Sequence, residues 1–210
     1  MSEDQEKTID FATATDSTEV AGQAVSDPEI LAALVDSLAG ESRRVRQFSS
    51  AALDKVSEEH VELLEPYVEQ LSDALYRPEA QTRWQALEII ERLVEHGSQG
   101  VDTACDGAES CLFDEDSGIV RLHAFRFFTA YASTTEERAE KVWPLIDEAI
   151  QCYHGDPEFT EMLNALCVMA GSTPSTKVKQ AIVERMTFDA NSGRGGLKHR
   201  ASQIIEAAQS

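Results

Sequence analysis

Arg46, Arg83 and Arg121 stand 37 and 38 residues apart, each at the start of a similar apolar pattern. A guanidinium is a planar, permanently charged fork that suits carboxylates and phosphates. Two chemistries follow: a basic stripe touching an anionic ligand, or a ladder pairing each arginine with an acid of a neighbouring turn. Glu41, Glu79, Asp114, Glu115 and Asp116 occupy such turns, which favours the ladder. A second basic group, Arg194, Lys198 and Arg200, lies around the glycine-rich turn Gly193-Arg194-Gly195-Gly196. Such a turn entering a helix can hold a phosphate, so these three are the candidate anion-binding residues. The stretch lacks Gly-Lys-Ser/Thr and follows no strand, which favours a flexible turn before a solvated end helix.

The remaining reactive side chains do not form a site. His60, His96, His123, His154 and His199 lie in different elements, and neither Cys-x₂-Cys nor His-x₃-His spacing occurs. Nothing marks Cys105, Cys111, Cys152 or Cys167 as an activated thiol, and their scatter fits reduced thiols in a cytoplasm. Asp114-Glu115-Asp116 lacks the glycine and closing Glu of a calcium loop and suits a helix N-terminus. No catalytic residue, metal ligand or cofactor is assigned.

These residues are carried by helices. From Ser26 onward apolar residues recur at helical spacing, interrupted only by turn signals such as Arg77-Pro78, His96-Gly97 and Thr173-Pro174. Ser26-Asp27-Pro28-Glu29 supplies a cap, a first-turn proline and an acid. Roughly ten helices of about 10 to 18 residues fit between the breaks, and no strand-like alternation is sustained. The chain reads as all-α. Residues 1–25 hold six acids against Lys7 and no periodic apolar pattern. They are expected to be a disordered acidic tail, leaving residues 26–210 as one domain.

Every second helix repeats. Segments starting at Val45, Thr82, Val120, Glu161 and Leu197 align with small residues at their fifth positions: Ser49, Ala86, Ala124, Ala165 and Ala201. Seven and eight places from the start stand Ala52/Leu53, Ile89/Ile90, Phe127/Phe128, Val168/Met169 and Ile204/Ile205. These offsets share one helical face, the expected core face. First helices are expected near 29–38, 60–76, 98–112, 135–153 and 174–190, with kinks at Pro66 and Pro144. An internal repeat of 36–41 residues is the signature of a solenoid.

Paired helices, a Val-Arg-x-x-Ala start at Val120 and a proline within the first helix resemble the HEAT and armadillo repeat superfamily. The resemblance spans roughly residues 27–208. It implies a curved right-handed α–α solenoid of about five helix pairs, its second helices lining a concave side that binds partners. HEAT-like chains are usually scaffolds or adaptors; one helical-repeat branch comprises alkylpurine DNA glycosylases.

On the second helices of the three central repeats the side opposite the core carries Trp84, Leu122 and Leu163, with Leu87, Phe125 and Leu166 beside the core. The matching positions of the outer repeats are polar: Gln47/Ser50 and His199/Ser202. With Glu88, Glu91 and Arg126 beside them, these six form the candidate protein-binding strip. The alternative is that interior helices touch two neighbours and need apolar residues further round, above all at Leu87, Phe125 and Leu166.

Charge narrows the partners. The chain has 18 basic and 38 acidic side chains, a formal net charge of −20. That argues against broad contact with nucleic acid or an anionic membrane, and no apolar run is long enough to span a bilayer. Residues 173–210 are the exception, with six basic and three acidic groups. The expected function is a non-enzymatic cytoplasmic scaffold binding a protein with basic residues around an apolar anchor. A DNA-lesion enzyme of the helical-repeat glycosylase type is the alternative, with Trp84, Arg83, Arg121 and Arg126 as its foothold. Homo-oligomerisation, basic end against acidic surface, is a third reading.

Overall fold

The computed structural model describes residues 10–210. Among them are eleven α-helices, three short 3-10 segments and no strand. The helices are α1 (Ser17–Ser26), α2 (Pro28–Ser37), α3 (Arg43–His60), α4 (Val68–Asp73), α5 (Ala80–His96) and α6 (Cys105–Leu112). They continue with α7 (Gly118–Ala132), α8 (Glu136–Cys152), α9 (Phe159–Ser172), α10 (Thr176–Ser192) and α11 (Gly195–Gln209). Five antiparallel pairs result, with α3, α5, α7, α9 and α11 as the second members. Each second helix packs on the next in chain order, far more closely than the first helices pack on one another. Closer spacing puts the second helices on the inside of the curve, so they form the concave face of an all-α solenoid.

Local chemistry sets the helix ends. Asp27, Ser42, Thr135 and Ser175 cap α2, α3, α8 and α10 through side-chain acceptors for first-turn N–H groups. Gly97 ends α5 at φ +87°, a conformation that favours glycine. The two prolines behave differently. Pro66 sits in a 3-10 stretch, Val61–Tyr67, which breaks the first helix of its pair, whereas Pro144 lies inside an uninterrupted α8.

The core follows the repeat in three pairs and departs from it in the fourth. Ala86, Ala124, Ile89, Ile90, Phe127 and Phe128 are all buried. In α9, however, Glu161 and Val168 face outward, Val168 being 72% exposed, while Met162, Leu166 and Met169 are buried. The helix begins where the repeat requires but is rotated by about one residue, ~100°. A carboxylate at the first core position cannot be buried without a partner, so Met162 takes that place. Ala165, expected in the tight contact, is therefore only half-buried.

The tail expected over residues 1–25 is corrected for its second half; residues 1–9 lie outside the described residues. Asp16 caps α1 by accepting from the Thr18 and Glu19 N–H groups. The helix buries Val20, Ala21 and Ala24, packs on α3, and is preceded by buried Phe11, stacked on Phe48 at 6.3 Å. It occupies the place that a preceding second helix would fill, with Thr18, Glu19 and Gly22 outward. A solenoid needs such a cap, because its terminal helix otherwise exposes the apolar face meant for a neighbour.

Candidate functional site

The three repeated arginines form the ladder. Arg46 reaches forward to Glu79, its Nε donating to Oε2 at 3.0 Å, and its Nη1 also donates to the Gly40 and Glu41 carbonyls. Arg83 donates to Asp114 Oδ2 at 2.5 Å, and Arg121 Nε to Glu158 Oε1 at 2.7 Å. Each guanidinium thus pins its own second helix to the turn before the next one. Arg83 and Arg121 are consequently engaged in structure rather than free for an anionic ligand. Glu158, the third partner, was not among the turn acids named, although it lies 37 residues ahead of Arg121 much as Glu79 and Asp114 lie ahead of Arg46 and Arg83.

A second ladder, not anticipated, runs along the second helices. Asp54 accepts from Arg92 at 2.7 Å, and Glu91 from Arg126 at 3.3 Å. Ser50 Oγ donates to Gln85 Oε1 at 2.7 Å. Glu88, expected as a border of the strip, is held by Arg92 at 2.8 Å.

The apolar strip is mostly core. Leu87, Phe125, Leu163 and Leu166 are all buried. For Leu87 and Phe125 the cause is a wider apolar arc on helices packed between two neighbours; for Leu163 and Leu166 it is the rotation of α9. None of the four presents a side chain to a partner. Trp84 and Leu122 stay half-buried. Trp84 is not a free anchor, since its ring stacks on His123 with centroids 5.3 Å apart and an interplanar angle of 30°.

What remains open on the concave side is a groove of about 360 Å³ between α5, α7 and α9. Three of its lining groups belong to the candidate strip: Glu91, Leu122 and Arg126; Glu95 joins them from α5. Thr129, Ala130 and Ser133 line it from α7 and its end, and Glu161, Asn164, Ala165, Val168 and Met169 come from the rotated α9. Its charged lining is three carboxylates and one guanidinium, set beside the apolar surface of Leu122, Ala130 and Val168. The groove is therefore acidic and part-apolar.

Its floor is electrostatically unusual. Glu91 is 8% exposed, and burial pushes its carboxyl up to about 7 against the opposing pull of Arg126. His123, three residues before Arg126 on α7, is driven the other way, to about 4, by burial and then by the Arg126 charge. Its Nδ1 is covered and unpartnered.

The basic turn is dispersed. Arg194 and Lys198 are exposed and Arg200 is half-buried; Lys198 Nζ donates only to the Asn191 carbonyl, at 3.4 Å. Among the described residues no three His, Cys, Asp or Glu side chains converge as metal ligands, and no helix is long and apolar enough to cross a membrane.

No family model and no curated relative matches the chain. Solved structures do. A designed armadillo repeat protein in complex with the peptide (KR)4 superposes with TM-score 0.73 at 15% identity, covering 91% of this chain and 90% of that one. A computationally designed armadillo repeat protein for modular peptide recognition gives TM-score 0.72 at 17% identity, with coverages of 91% and 89%. An engineered protein gives 0.70 at 16% identity, with coverages of 95% and 96%. Likeness over nine-tenths of the chain at such low identity is likeness of backbone, and the chain has the armadillo/HEAT-like helical-repeat fold.

Proposed function

We propose that the protein is a non-enzymatic scaffold that holds an extended peptide of a partner protein along its concave face. The observation that carries this reading is the acidic, part-apolar groove between α5, α7 and α9. Its carboxylates Glu91, Glu95 and Glu161 complement basic residues, and Leu122 and Val168 complement an apolar neighbour. The two designed armadillo proteins, made for or solved with peptides, support the same use of this fold. The glycosylase-type alternative loses its foothold, because Arg83 and Arg121 are held by Asp114 and Glu158. A cytoplasmic location and a partner with basic residues around an apolar anchor belong to this proposal.

Selection from a displayed library of random peptides tests it. Enriched peptides should pair basic with apolar residues, and Leu122→Asp should abolish their binding although it makes the groove more negative. Enriched peptides that bind Leu122→Asp unchanged, or no enrichment at all, would refute the concave-face reading.

A further inference from the structure

We infer that the groove between α5, α7 and α9 is a pocket for a single arginine side chain of the partner, its guanidinium taken by Glu91 Oε2 and Asn164 Oδ1. This rests on the concave-face reading above. Both oxygens are covered and lack any hydrogen-bond partner, and both belong to residues lining the one groove. A covered acceptor without a donor costs on the order of 1–3 kcal/mol, and native proteins leave few of them. Two in one groove point to a missing donor.

The surroundings specify that donor. Asn164 Nδ2 donates to Glu161 Oε2 at 3.1 Å, which fixes the amide and leaves its carbonyl oxygen as the free end. Glu91 receives Arg126 Nε at 3.3 Å through Oε1, so Oε2 is the unused oxygen. Two acceptors on different helices call for a group rich in donors and devoid of acceptors. A guanidinium has five N–H donors in a planar fork, whereas a lysine ammonium is a compact point. Leu122, Ala130 and Val168 offer apolar surface to the methylene stem, and Glu95 adds charge at the rim. Arg126 is attached to Glu91 by one long contact and its side chain is 42% exposed. It yields its place to the incoming group, which uncovers Oε2.

The pocket is also proton-linked. Glu91 feels Arg126 of α7 and Glu88 and Glu95 of its own helix, and Glu161 of α9 lines the same groove. Burial holds its proton to about pH 7. An entering cation favours the ionised form, so capture releases a proton and tightens as pH rises from 6 to 8.

The experiment is an NMR titration of the full chain with three blocked peptides, acetyl-Leu-X-Leu-amide, where X is arginine, citrulline or lysine. The arginine peptide should shift the Asn164 side-chain amide and bind at least tenfold more tightly than the citrulline peptide. Lysine should fall between. Glu91→Gln and Asn164→Ala should each weaken the arginine peptide about tenfold while the melting temperature of Glu91→Gln is kept or raised. Equal binding of arginine and citrulline, or of arginine and lysine, would overturn the pocket. So would arginine binding that survives Glu91→Gln in the folded protein. Library peptides lost on Leu122→Asp but untouched by Glu91→Gln would sink the arginine pocket alone; absence of any library peptide would sink the scaffold reading with it.

Discussion

The Trp84 indole lies on the His123 imidazole, 5.3 Å between centroids, and so ties α5 to α7 across one repeat step. The most aromatic position of the concave face is thus spent partly on stacking. His123 is kept neutral there, with its titration near pH 4. Trp84→Ala should open this site to water and bring the His123 midpoint back toward 6.5. It should also cost about 2 kcal/mol, less than a fully buried aromatic, because Trp84 is only half-buried. Imidazole proton shifts followed against pH check the first point, and a denaturant melt the second. An unmoved midpoint would mean that the stack does not shield His123.

The Arg46–Glu79 fork should behave as a coupled buried pair, since both residues are less than a tenth exposed. Removing either partner alone leaves an uncompensated charge and should cost about 3 kcal/mol. The double replacement Arg46→Met with Glu79→Gln should cost clearly less than the sum. The hydrogen bond from Arg46 holds the Glu79 carboxyl below its ordinary range. That contribution is present above pH ~4.5 and is lost as pH falls through the lowered folded value. Additive single and double variants in chemical denaturation would contradict the coupling.

Deleting residues 1–26 should destabilise the domain. It uncovers the α3 surface now closed by Phe11, Val20, Ala21 and Ala24. Loss of an end cap predicts a melting temperature lower by roughly 5–10 °C and a tendency to self-associate. Light scattering alongside calorimetry reads both. An unchanged transition would show that α1 contributes nothing to the stack.

Glu91 and His123 pull the pH dependence of stability in opposite directions. Glu91 is raised, so its native state holds the proton more tightly and stability falls as pH rises from about 4.5 to 7. His123 is lowered, so its contribution grows as pH rises from about 4 to 6.5. Glu91→Gln should therefore gain on the parent protein with rising pH, by on the order of 3 kcal/mol at pH 7.5 relative to pH 4.5. Parallel stability profiles for the two proteins would show that Glu91 titrates normally.

Much of the fold could be read from periodicity because the small residues and the apolar pairs repeat in one register in α3, α5 and α7. The arginine ladder was legible for the same reason. Three features were not. The cap helix α1 is built on Val20 and two alanines, too few apolar atoms to stand out among acids. The rotation of α9 follows from a single carboxylate, Glu161, at a core position, and it moved Leu163 inward and brought Asn164 and Val168 into the groove. At Leu87 and Phe125 the packing alternative holds, because a second helix in a stack has two neighbours and needs a wider apolar arc than a lone amphipathic helix; Leu166 went inward with the rotation of α9. Of the residues singled out beforehand, Glu91, Leu122 and Arg126 are the ones that line the groove.

The central claim is that the concave groove receives the partner. Chemical-shift mapping with a library-selected peptide tests it most directly, since amides of every helix report at once. Shifts should concentrate on residues 84–95 of α5, 122–132 of α7 and 161–169 of α9, and disappear in Leu122→Asp. Shifts centred on the first helices α4, α6 and α8, or on the basic turn at Arg194–Arg200, would contradict it.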